Sequence, residues 1–175
     1  VEITNTYTRE SGNLKLKKVF VGEKTVGDLN DEQKAAIKFT VIGPDGYHQT
    51  ISYKDFAEDG TYTLSGLSNG EYQVEESGAD IYKDYKLNVS YSVADGKTTV
   101  TTGTITEGTI TNTYSKKTGT LEVDKIINGV ILTDDQKSKL TFTVTGPNGY
   151  SNSGTYDQFV NGSWKLENLP LGEYT

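Results

Sequence analysis

Apolar and polar residues alternate in short stretches along this chain, a period that predicts strands rather than helices. Between residues 12 and 114 the strand signals fall at 13–21, 37–43, 61–66, 71–77, 85–93, 97–106 and 108–114. The intervening "GPDG" (43–46), "EDG" (58–60), "SNG" (68–70) and "ADG" (94–96) carry turn chemistry, with glycine available for positive φ. One short helix is expected at 31–36, where Asn30 and Gln33 stand at capping-box spacing; Thr133 and Gln136 repeat the device. The expected fold is all-β, an antiparallel sandwich of roughly immunoglobulin size with one short helix.

The same pattern comes round again. "GNLKLKKVFVG" at 12–22 is echoed by "GTLEVDKIING" at 119–129, and "DEQKAAIKFTVIGPDGY" at 31–47 by "DDQKSKLTFTVTGPNGY" at 134–150. "GTYTLSGLSNGEY" at 60–72 returns as "GSWKLENLPLGEY" at 162–174, and "ITNTY" occurs at both 3–7 and 110–114. Repeats are read before anything else, and these divide the chain. Residues 1–7 are expected to be the last strand of a preceding repeat, 8–11 a linker, and 12–114 a complete repeat. Residues 115–118 form a second linker, and 119–175 begin a further repeat that stops before its closing strands. Joints this short and polar would let the units stack as a fairly stiff rod.

Composition narrows the function. The 175 residues include 24 acidic and 17 basic side chains, a net charge of −7 that argues against a nucleic-acid partner. With no cysteine there is neither a disulfide framework nor a thiol nucleophile. No apolar stretch suits a membrane span or signal peptide, so no membrane insertion is expected of this segment. The single histidine, His48, follows a turn and is replaced by Ser151 in the second copy, which speaks against a catalytic triad. The acidic pairs Asp134–Asp135 and Glu58–Asp59 lack the spacing of a calcium loop, and no metal or other cofactor is expected. Asn88-Val-Ser and Asn161-Gly-Ser match the glycosylation triplet, a weak signal taken alone. Trp164 occupies the strand position held by Tyr62 in the first copy and reads as packing.

Three polar residues sit on faces where their neighbours belong in a core. Side chains at i, i+2 and i+4 of a strand share one face. Leu14 and Leu16 lead to Lys18, as Leu121 and Val123 lead to Lys125. Tyr72 and Val74 lead to Glu76, whereas Glu75 points the other way. Ile110 and Tyr114 flank Asn112, and the same asparagine recurs at Asn5. Buried unpaired, each would cost several kcal/mol, so the three are expected to meet. One outcome is an unreacted buried Lys–Glu pair, weakly stabilising after desolvation. The other is chemical: burial lowers the pKa of a lysine and raises that of a glutamate, and a neutral amine is a nucleophile. Lys18 could then attack the Asn112 carboxamide while Glu76 shuttles the proton and ammonia leaves, giving an intramolecular isopeptide bond.

The ordered motifs "LxLxK", "GEYxVxE" and "ITNTY" resemble the B-type (CnaB-like) repeat of collagen-binding adhesins, found in stalks and pili of Gram-positive bacteria. The resemblance covers the complete repeat and both partial ones. It implies an immunoglobulin-like sandwich, a Lys18–Asn112 cross-link and an assisting Glu76, with Asn5 and Lys125 as the unpaired equivalents in the partial repeats. "KK" at 17–18 offers two candidate lysines, and strand parity favours Lys18. The implied setting is extracellular, on the bacterial surface, wall-anchored or in a fibre. Its implied partners are neighbouring repeats of the same protein, with host surface or matrix proteins met through other domains. Two functions follow: a structural stalk repeat of an adhesin or pilus-like fibre, or a module that itself binds a host matrix ligand. No nucleophile–base pair suggests an enzyme beyond this single self-directed turnover.

Overall fold

The computed structural model describes all 175 residues, and its internal contacts divide into two units, Val1–Lys116 and Lys117–Thr175. In the first, residues 1–11 take no regular secondary structure; Arg9 pairs with Asp45. Eight strands follow: β1 (Gly12–Gly22), β2 (Lys38–Ile42), β3 (His48–Ser52), β4 (Thr61–Leu67), β5 (Gly70–Ser77), β6 (Tyr85–Tyr91), β7 (Lys97–Val100) and β8 (Ile105–Lys116). The one α-helix, α1 (Asp31–Ala36), starts on a capping box: the Asn30 side chain accepts from the Gln33 N–H at 2.8 Å, and the Gln33 side chain accepts from the Asn30 N–H at 3.0 Å.

The strands form two four-stranded sheets, ordered β4-β1-β8-β6 and β3-β2-β5-β7. Leu14, Leu16, Leu64 and Ile110 of the first sheet and Phe39, Val41, Tyr72 and Val74 of the second share one buried core. This is the expected sandwich, with one feature that alternation does not reveal. Strands β1 and β8, first and last, pair in parallel over ten residues, from Asn13 with Ile105 to Gly22 with Tyr114. Parallel neighbours need a crossover connection, and here the whole intervening chain, including the second sheet, provides it.

Two strand expectations are corrected. The segment expected as one strand at 97–106 breaks at 101–104 into β7 and the start of β8, with Gly103 at φ +68 in the turn. Strand β3 gave no clear signal because Ile51 is its one buried side chain.

The second unit contains β9 (Thr118–Asp124), α2 (Asp134–Lys139), β10 (Thr141–Thr145), β11 (Ser151–Thr155) and β12 (Ser163–Pro170). Their order matches β1, α1, β2, β3 and β4. Strand β9 pairs with β12 and β10 with β11, both antiparallel. Val144, Leu166 and Leu169 are buried, with Leu121, Val123, Trp164 and Tyr174 packed against them.

Candidate functional site

Lys18 comes from β1, Asn112 from β8 and Glu76 from β5, so two neighbouring strands of one sheet face a central strand of the other. In the β1–β8 register Lys18 pairs with Ile110, and Asn112 with Phe20, which sets lysine and asparagine one inward row apart. The backbone of Lys18 is fixed on its other edge, its N–H donating to Gly60 O at 2.8 Å. Gly60 has φ +76, and a Cβ there would lie 2.7 Å from the Lys18 carbonyl, so this position in the "EDG" turn requires glycine.

The Glu76 carboxylate holds both partners. Lys18 Nζ lies 3.0 Å from Oε1 and 3.1 Å from Oε2, and Asn112 Nδ2 donates to Oε1 at 3.0 Å. Water is excluded: the side chains of Lys18 and Glu76 are 0% and 1% exposed, and Asn112 is 0% exposed. Lys17, the other lysine of the pair, is exposed, as is Glu75. Strand parity therefore chose the inward member in both cases.

The surroundings are apolar and aromatic. Lys18 Nζ lies 5.0 Å from the Phe20 ring centroid and 5.9 Å from that of Phe39, contacts that favour the ammonium. Against them, burial brings the lysine down to a pKa of about 8, the Glu76 charge opposing the shift. Burial likewise raises Glu76, with Lys18 and the Asn112 amide opposing. The two shifts bring the amine–acid form of the pair closer in energy to the ammonium–carboxylate form. Asn112 Oδ1 is buried without a hydrogen-bond partner, an arrangement that native structures seldom leave without a chemical reason.

The far side of the site is closed by the segment after β5. Tyr114 donates its hydroxyl to the Ala79 carbonyl at 2.6 Å, and burial pushes its pKa up to about 12. The Tyr82 ring stands edge-on to Tyr114 at 5.1 Å, and its hydroxyl donates to Asp28 O. Strand alternation predicted neither this plug nor the role of Tyr91, whose hydroxyl accepts the Glu76 backbone N–H at 3.1 Å. Tyr91 shares a strand face with Leu87 and Val89, and on that pattern it reads as packing alone.

The remaining candidates lie elsewhere. Asn5 is exposed in the segment without regular structure. Lys125 is exposed, although its N–H donates to Gly162 O at 2.8 Å, repeating the Lys18–Gly60 contact. His48 is exposed at the start of β3.

No protein-family model matches the chain, and no curated protein matches it. Among solved structures it is similar to the TIE protein of Bacillus anthracis, at 25% identity and TM-score 0.46, over 94% of this chain and 27% of that one. It is similar also to GBS52, the minor pilin of the Gram-positive pathogen Streptococcus agalactiae, at 20% identity and TM-score 0.40, over 62% of this chain and 47% of that one. A third is an adhesin of Mobiluncus mulieris containing intramolecular disulfide, isopeptide and ester cross-links, at 23% identity and TM-score 0.43, over 62% of this chain and 42% of that one. This chain thus spans less than half the length of each.

Proposed function

We propose that the complete repeat is a structural element of a Gram-positive surface adhesin or pilus-like fibre, welded by a self-formed Lys18–Asn112 isopeptide bond. The observation that carries the reading is one water-excluded carboxylate, Glu76, touching both the amine and the amide that would join.

The chemistry follows from that contact. Transfer of a proton from the Lys18 ammonium to Glu76 leaves a neutral amine beside a neutral acid, a step that burial favours. A half-turn of the Asn112 amide exchanges Nδ2 for Oδ1 at Glu76, and the acid then hydrogen-bonds the orphan oxygen and polarises Cγ. Lys18 Nζ adds to Cγ, forming the N–C bond and a tetrahedral centre. Glu76 carries the proton from Nζ to Nδ2, the Cγ–Nδ2 bond breaks and ammonia leaves. Amine and carboxamide become one secondary amide plus ammonia. Glu76, still holding the proton it took from the Lys18 ammonium, returns to the carboxylate by giving that proton to the departing ammonia. No separate enzyme or cofactor takes part.

The parallel β1–β8 pair gives the bond a mechanical use. Tension entering at Gly12 and leaving at Lys116 pulls these strands in opposite directions along their shared ladder and loads its hydrogen bonds in shear. A covalent Lys18–Asn112 link would carry that load directly and shield the 93 residues between those two positions. Unshielded, that stretch would extend by about 300 Å. In force spectroscopy with handles outside residues 12 and 116, the native unit is expected to show no such extension and a Lys18→Ala unit to show it. Full extension of the native unit would contradict the stalk reading.

A further inference from the structure

The carboxylate of Glu76 is held by Lys18 and Asn112, but a proton shuttle also needs a fixed backbone, and β5 is poorly supported where Glu76 sits. On one side β2 pairs with β5 as far as Ser77. On the other, the β5–β7 ladder covers only Gly70 to Gln73 and stops three residues before Glu76. Beyond the ladder Gly96, in the turn before β7, approaches closely, and a Cβ there would lie 2.4 Å from the Val74 carbonyl oxygen. Glu76 is two residues further along and directs its N–H to the same side, beyond the end of the ladder.

A side chain from the opposite sheet takes the place of the missing strand. Tyr91 Oη accepts the Glu76 N–H at 3.1 Å. In sheet register Tyr91 pairs with Ile110, and Ile110 with Lys18, so lysine, isoleucine and tyrosine form one inward row across β1, β8 and β6. The sheet that carries both reacting groups therefore holds Glu76 at two points, through its carboxylate and through its peptide N–H. Tyr91 joins the backbone of the acid to the strand bearing Asn112, because β6 pairs directly with β8 and sets Val89 opposite Asn112.

We propose that Tyr91 is a positioning residue for isopeptide formation: its hydroxyl fixes the backbone of Glu76 in register with Lys18 and Asn112. This rests on the cross-linking reading above and adds a residue to it. Tyr91 does not touch the reacting atoms. It acts through Glu76, by restricting how far the carboxylate can drift from the amine while the proton moves. A hydrogen bond of ordinary strength, about 1 kcal/mol, lost only where geometry matters, corresponds to roughly a five- to tenfold change in rate.

The test follows the full chain, synthesised in vitro, held unreacted in denaturant and then diluted into buffer. Intact mass reports ammonia loss, and far-ultraviolet circular dichroism reports folding. For Tyr91→Phe, which keeps the ring and removes the oxygen, the expected result is folding at the native rate followed by ammonia loss about five- to tenfold slower. A purely structural tyrosine would lower thermal stability but leave the rate of ammonia loss in folded chains unchanged, and that outcome overturns the proposal. Hydrogen exchange in an Asn112→Ala chain, which keeps Tyr91, is a second measurement independent of how Tyr91→Phe folds. The Glu76 amide is expected to be protected there although no strand bonds it, and fast exchange overturns the proposal. If the native chain loses no ammonia, the cross-linking reading itself fails, a result distinct from a normal native rate with an unaltered Tyr91→Phe rate.

Discussion

Lys18 and Asn112 lie one inward row apart on parallel neighbouring strands, Lys18 opposite Ile110 and Asn112 opposite Phe20. The long lysine side chain can span that diagonal while the short asparagine stays at its own row. Glu76 arrives from the facing sheet and touches both ends. An antiparallel first and last strand could present the same residues, but tension on the two ends would then peel the ladder open one bond at a time.

Replacing Glu76 by glutamine keeps the volume and removes the ionisable group proposed as the proton shuttle. Glu76→Gln is expected to fold and to slow ammonia loss by about 10²–10⁴-fold, the usual contribution of a positioned acid–base group. Intact mass over time checks this. A native rate in the variant would remove Glu76 from the chemistry.

How much of this could be read beforehand depended on the residue. Lys18, Glu76 and Asn112 were legible because each shares a strand face with two apolar neighbours on a strict period of two, and burial separates Lys18 from Lys17 and Glu76 from Glu75 as parity requires. The parallel β1–β8 pairing was not legible, since alternation gives a strand's inner face but not its direction or neighbour. Tyr91 and Ala79 escaped for another reason. One acts through a hydroxyl on an otherwise apolar face and the other through a backbone carbonyl, and neither leaves a mark in a hydropathy pattern. The Thr-rich run at 97–106 hid its own break because Thr suits strand and turn alike.

Proton counting sets the pH dependence. Amine facing acid holds the same number of protons as ammonium facing carboxylate, so the reactive form belongs to the state in which the pair shares one proton. Lys18 gives up that proton near pH 8, while burial raises the pH at which Glu76 takes a second one above the ordinary carboxylate range. The rate is therefore expected to fall as pH rises beyond about 8. Unassisted attack by a free amine has the opposite sign and would accelerate through the same range. A refolding series from pH 6 to pH 10, about two units either side of that value, separates the two by the slope above pH 8.

Tyr114→Phe leaves the buried Ala79 carbonyl without its 2.6 Å donor and loosens the plug over the site. In an Asn112→Ala background, where no bond can mask the effect, it is expected to cost about 1–3 kcal/mol. Urea denaturation checks the value, and an unchanged midpoint would mean that the segment after β5 adds nothing to closure.

The most direct measurement is the intact mass of the folded chain after a long incubation at neutral pH. The account predicts a product lighter by one ammonia, with tandem mass spectrometry placing a branched peptide between Lys18 and Asn112, and the full mass retained in Lys18→Ala and in Asn112→Ala. A folded native chain that keeps its full mass would contradict it.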